Sequence, residues 1–197
     1  MRLALFSFAL FCGFAAAVAD TAAAFVTNSV LVQTHGTLTW AAPAGWDYTP
    51  PKADPSGQSP AMFRLAAIGG QPSVILTVCW DGFGPRKLSP SDKELADMVN
   101  TVGSKEFAFE SVEKAVNLAA FSSANAHGSY ASFTDEKLAA KEAGNIPKTE
   151  SRVVTIGTFR TGHLWGKFML FTEAKDGEQF NTAMSIIKSL QTPPVGK

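Results

Sequence analysis

The sequence predicts an α+β fold, a three-layer α/β/α sandwich with a mainly antiparallel sheet and helices on both faces. Three observations carry that expectation. Strand-like runs come in pairs joined by short turns, and hairpins make antiparallel neighbours. Several of these runs are apolar at both parities, which calls for cover on both sides of the sheet. Two segments carry an apolar stripe at helical spacing, one in mid-chain and one near the end.

Ser29–Thr34 reads as a short strand and Thr37–Ala41 as a clearer one. Residues 44 to 60 hold four prolines and two glycines and are expected to be irregular. Ala61–Ile68 and Ser73–Trp80 form a hairpin around Gly69-Gly70-Gln71-Pro72. In the second strand Val74, Leu76, Val78 and Trp80 alternate with Ile75 and Cys79, so both faces are apolar. A helix is expected from Ser89-Pro90-Ser91-Asp92, with Ser89 as cap and Asp92 closing a capping box. Leu95, Met98, Val99 and Val102 are its stripe, and Gly103 its stop.

The run from Lys105 to Phe121 fits either period, and a strand is favoured only from Val116 to Ser122. It pairs with His127–Thr134. Asp135–Thr149 is polar and reads as a long surface loop with one helical turn. Arg152–Arg160 and His163–Thr172 form another hairpin around Thr161-Gly162. A last helix spans Asp176–Leu190, capped by Asp176 with Gln179 and lined by Phe180, Ala183, Met184, Ile187 and Leu190.

The N-terminus has its own pattern. Arg2 is followed by an apolar run, Leu3–Ala19, which ends in Ala17-Val18-Ala19. A charged start, a greasy middle and a small-residue end read as a secretory signal peptide over residues 1–19. The run is shorter than the roughly 20 residues of a spanning helix, although a retained anchor is the rival reading. Bulky Phe11 before Cys12 argues against a lipid-modified cysteine. Residues 20–35 are then the mature N-terminal segment, 36–191 a single α+β domain and 192–197 a C-terminal tail. The expected location is the periplasm or the medium.

Without residues 1–19, sixteen basic residues face seventeen acidic ones, a net charge of −1. No basic stripe suits nucleic acid, and no polybasic cluster or second apolar segment suits stable membrane insertion. Cys79 is then the only cysteine, with no partner for an internal disulfide, and its apolar strand makes it a small inert hydrophobe.

An early strand ending in Pro43-Ala44-Gly45-Trp46, then hairpin, helix, hairpin and a last helix ending Ile187-Lys188-Ser189-Leu190, resembles the PsbP-like sandwich superfamily. The resemblance spans residues 36 to 191. It implies a non-enzymatic binding or assembly role through surfaces. It carries over no ligand residue, because its motifs are short.

The candidate binding residues are Trp40, Trp46, Tyr48, His127 and His163. The three aromatics form either a half-exposed groove for a peptide or sugar, or the seal on one end of the core. His127 and His163 each begin an expected strand, so they are placed to meet at one sheet end beside Asp135 or Glu173. No histidine has a second metal ligand at the usual spacing, and no metal or cofactor is expected. His127-Gly128-Ser129 puts an imidazole and a hydroxyl on one strand face, but there is no Gly-x-Ser-x-Gly elbow. Gly82-Phe83-Gly84 lacks phosphate-loop spacing, and Arg86 and Lys87 beside it read as a solvated turn, with an anion site as the alternative.

The expected function is an exported, non-enzymatic binding or assembly module acting through the Trp46 loop and the Asp135–Thr149 loop. Its partner would be a protein, a peptide or a small ligand. The alternative is a small hydrolase or metal-dependent enzyme centred on His127.

Overall fold

The structure, a computed structural model, describes residues 24–52, 54, 56–84, 89–142, 145–147 and 149–193. Residues 1–19, expected to be a signal peptide, with Cys12, and also Arg86, Lys87 and residues 194–197 lie outside the described residues. In chain order the strands are β1 (Phe25–Leu31), β2 (Thr37–Pro43), β3 (Asp47–Thr49), β4 (Ala61–Ala66) and β5 (Ser73–Trp80). Helix α1 (Asp92–Val102) follows. Then come β6 (Ala119–Ser122), β7 (His127–Thr134), α2 (Glu136–Ala139), β8 (Val153–Thr161), β9 (Leu164–Thr172) and α3 (Glu178–Lys188).

The fold is α+β with an antiparallel sheet. Seven strands run in the order β3-β4-β5-β9-β8-β7-β6, and β1 and β2 form a separate antiparallel pair. Side chains alternate across the strands, so each cross-strand row belongs to one face. On β5 and β9, Val74, Leu76, Val78, Leu164, Phe168 and Leu170 join Phe180, Met184 and Ile187 of α3 in the main core. The other parity meets α1. Leu95 packs with Cys79 and Trp165, and Val99 with Ala131, Phe133 and Ile156. The β1–β2 pair joins the α3 side: Thr39 bridges to Gln191, and the Ala41 amide donates to Ser189 Oγ at 2.8 Å.

Several local expectations need correction. Ser91, not Ser89, caps α1. Its hydroxyl accepts from the Glu94 amide, and the Glu94 carboxylate accepts from the Ser91 amide at 2.8 Å. The box therefore spans Ser91 to Glu94, whose longer side chain reaches back one full turn. Gly103 does not stop the helix. It has α-helical φ and ψ of −57° and −47°, and the chain winds on through a π-helical turn, Gly103–Phe107, and a 3₁₀ turn, Ala108–Glu110. A Cβ at 103 would lie 2.8 Å from the Phe133 ring and 3.0 Å from Val116, so glycine here serves a close approach.

Helix α3 starts from Gly177 without a side-chain cap, and Gln179 instead accepts from the Glu173 amide at 3.1 Å. The irregular stretch contains one short strand, β3, recruited by pairing with β4 through Asp47, Tyr48 and Thr49. β1 starts earlier than expected because β2 offers partners as far as Pro43.

The centre of the sheet is built around two glycines. Gly157 faces Phe168 in register, and Gly166 faces Phe159. Each ring lies over the opposite glycine, where a Cβ would come within 2.1 Å of Phe168 or 2.7 Å of Phe159. Both phenylalanines are fully buried as a result.

Candidate functional site

The candidate site is a cleft between α1 and the part of the sheet that α1 leaves uncovered. Leu95 and Val99 commit the helix to β7 and β8 and to the ends of β5 and β9, because their buried partners lie there. The same face of β4, β5 and β9 stays open beside it. Two cross-strand rows make the floor. One runs Arg64, Ile75, Met169, Ile156; the other runs Met62, Thr77, Lys167, Thr158. Met98, Val102, Glu106 and Phe107 form the wall. The space is about 410 Å³, within the range of small-ligand sites.

The wall depends on the π-helical turn. The Ala108 amide donates to the Gly103 carbonyl, five residues back, which widens the coil there. Phe107 stacks on Phe133 at 5.5 Å, so the turn is pinned to β7 while Glu106 and Phe107 line the cleft. Thr158 is occupied, its hydroxyl donating to the Leu95 carbonyl at 3.2 Å. Lys167 is exposed and has no ion pair or hydrogen bond among the described residues. A recess lined by Arg64, Gln71, Ser73, Ser151 and Phe171 continues the floor past Ile75. It is closed at its end by the Gln71 side chain, which donates to the Ser151 hydroxyl at 2.7 Å.

None of the residues singled out from the sequence lines this cleft. Trp40 is 1 % exposed and stacks on Phe63 at 5.0 Å, with Tyr48 tilted against both. Its indole Nε1 has no hydrogen-bond partner among the described residues. Trp46 and Tyr48 are half-buried against the main core, on the side of the sheet away from the cleft. The turn that places Trp46 uses Gly45 at φ +86°, where the glycine tolerates a left-handed backbone. Burial raises the Tyr48 phenol above its ordinary value.

His127 and His163 lie near one end of the sheet but do not meet, which corrects the shared-site expectation. His127 pairs in register with Arg160 and turns to the α1 side, where Nε2 lies 3.2 Å from Asp92 Oδ1. Arg160 donates to the Pro90 carbonyl and sits 3.9 Å from Asp81 and 4.0 Å from Asp92. This is an open charge cluster around the start of α1; Asp135 and Glu173 are not part of it. No bond joins His127 to Ser129 among the described residues.

His163 turns the other way and donates from Nε2 to the His35 carbonyl. The His35 ring in turn stacks on Trp80 at 3.9 Å and 9°. Burial lowers the pKa of His35, and the nearby His163 lowers it further. A recess of about 560 Å³ beside both histidines ends at Pro193, next to residues outside the described set.

The other perturbed groups are scattered. Burial pushes the Cys79 thiol up to about 11, with Lys167 pulling the other way. Burial alone would raise the Glu113 carboxyl, but hydrogen bonds from the Thr134 amide and hydroxyl, with Lys175 at 3.7 Å, bring it below its ordinary value. Hydrogen bonds from Ser56 and Ser59 hold exposed Asp54 below the usual carboxylate range. Among the described residues no three His, Cys, Asp or Glu side chains are arranged to hold a metal ion.

No protein-family model matches the chain, and no curated protein matches it. Among solved structures it is similar to the solution structure of cyanobacterial PsbP from Synechocystis sp. PCC 6803. The identity is 14 %, over 89 % of this chain and 96 % of that one, with a TM-score of 0.47. At that distance no residue role passes from one protein to the other.

Proposed function

We propose that this chain is an exported, non-enzymatic binding or assembly module, and that the cleft beside α1 is its recognition surface. One observation carries the reading: among the described residues that line the cleft the ionisable groups are Glu106 and Lys167, with Arg64 in the recess that adjoins it, and the rest of the lining is mostly methionine, aliphatic and aromatic. An apolar concavity with a few polar groups suits ligand binding, and none of the described lining residues pairs a nucleophile with a base. Thr158, one of the two hydroxyls lining the cleft, is already bonded to a backbone carbonyl.

The layered architecture expected from the sequence belongs with this reading. The opposite parities that meet α1 and α3 support a layer on each face of the sheet, with α1 covering its face only in part. The segment around Ser151, just after the Asp135–Thr149 loop, borders the open end of that face and would flank a bound partner. Export to the periplasm or medium is supported by the charge and hydropathy pattern of residues 1–19. No helix among the described residues is long and apolar enough to cross a membrane. The partner is a protein, a peptide or a small ligand.

The test is recovery of the tagged protein from its own cell envelope, followed by mass spectrometry of what is retained. Met169→Glu is expected to lose the retained species, whereas Trp46→Ala, on the other side, keeps it. Retention by Met169→Glu with loss in Trp46→Ala would move the recognition surface to the Trp46 loop. A carboxylate-dependent reaction abolished by His127→Ala would favour the enzyme alternative.

A further inference from the structure

The charges of the cleft floor point to a class of ligand. Lys167 is the cation of the floor, standing in one row between Thr77 and Thr158, and a second cation, Arg64, stands in the next row beside Ile75, where the floor passes into the adjoining recess. Arg64 is held by the Gly70 carbonyl at 3.3 Å, whereas Lys167 is unpaired among the described residues. The cleft's one acid, Glu106, is on the wall rather than the floor. Between them the surface is apolar and adaptable. Met62, Met98 and Met169 converge on it from two strands and a helix, and methionine accommodates flexible chains well. The cleft of about 410 Å³ is within the range of sites that take small organic ligands.

Resting on the binding-module reading, we propose that the cleft takes a free single-chain anionic amphiphile. Its carboxylate would bind the Lys167 ammonium, with the Thr77 hydroxyl as a second donor. Its chain would lie over Ile75 and Met169 under Met98, Val102 and Phe107. The lone lysine supplies a charge-assisted hydrogen bond that a neutral or cationic amphiphile cannot use. The cleft is open along the β4 side, where Met62 is 61 % exposed, so a flexible chain can enter without unfolding α1. Glu106 opposes an anion, and its removal should favour the ligand.

The methionines that line the site also report on it. The full chain carrying ¹³C-methyl methionine is titrated with dodecanoate below its micelle concentration and followed by NMR. Met62, Met98 and Met169 are expected to shift saturably with one-to-one stoichiometry. Met184, buried against the opposite face, should stay in place and serve as the internal control for folding. Lys167→Gln, an exposed substitution, is expected to weaken dodecanoate on the order of ten-fold, the size of one charge-assisted bond. Glu106→Gln should tighten it. Dodecyltrimethylammonium should bind at least ten-fold more weakly than dodecanoate.

Equal binding of the two amphiphiles, or no effect of Lys167→Gln, would overturn the inference. So would shifts that appear only with anionic phospholipid vesicles, which would indicate a membrane surface instead. The binding-module reading fails separately. If dodecanoate does not bind but Met169→Glu still loses the species retained from the envelope, the cleft recognises a different chemistry. If Met169→Glu retains everything, the cleft itself is not the recognition surface.

Discussion

Trp40 and Cys79 illustrate how burial, more than residue type, sets behaviour. Trp40 fills the space between Phe63 and Tyr48, yet its indole nitrogen makes no hydrogen bond. Trp40→Ala is therefore expected to cost about 3–5 kcal/mol, the usual figure for removing a large buried aromatic. Trp40→Phe keeps an aromatic ring in the same space and leaves a smaller cavity, so it should cost less than Trp40→Ala. Urea denaturation of both variants checks this, and similar losses for the two would contradict the expectation. Cys79 is 5 % exposed with its thiol pushed up to about 11, so little thiolate exists at neutral pH. Iodoacetamide at pH 8 should leave Cys79 unmodified in the folded protein and alkylate it in urea, as read by peptide mass mapping.

Elements meet where side chains are too small to keep them apart. Gly157 and Gly166 let two phenylalanine rings lie flat across the centre of the sheet. The Cβ of Gly157→Ala would have to displace Phe168, whose fully buried ring has nowhere to go. The expected loss is about 1–3 kcal/mol, the usual cost of overpacking. The midpoint of chemical denaturation measures it; an unchanged midpoint would show that the ring can move aside. At the start of α1, Ser91→Ala removes one half of the capping box and should cost about 1 kcal/mol, with Ser89→Ala near neutral.

Across the molecule, two connections make stability sensitive to acid. His35 joins the β1–β2 turn to Trp80, and Glu113 joins the segment after the 3₁₀ turn to β7. Both have folded pKa values below their ordinary values of 6.5 and 4.5. A depressed pKa means that the unfolded chain binds the proton more readily. The stabilisation is complete above the ordinary value and is lost as pH falls through the folded one. Stability should therefore decline in two stages, below about pH 6.5 for His35 and below about pH 4.5 for Glu113. His35→Phe keeps a ring against Trp80 but cannot titrate, so its denaturation midpoint should lose the first stage. A mutant curve parallel to the wild type between pH 7 and 5 would contradict the assignment.

The sequence by itself determined most elements of the fold. Hairpin turns at Gly69–Pro72 and Thr161-Gly162, the two amphipathic helices and the doubly apolar strands are local patterns, and local patterns survive in one dimension. The helix ends were less legible, because Gly103 reads as a stop by its conformational freedom but is used for its small size against Phe133. The cleft was hidden for a different reason. Its residues come from β4, β5, α1, the π-helical turn, β8 and β9, and each looks like an ordinary member of its own element. One signal was present: Thr77 and Lys167 interrupt otherwise apolar strand faces at positions that pairing places side by side. Only the tertiary structure decided that α1 would cover β7 and β8 and leave that row open. It also kept His127 and His163 apart: register pairs His127 with Arg160 beside Asp92, whereas His163 lies in the turn between β8 and β9 and bonds to the His35 carbonyl.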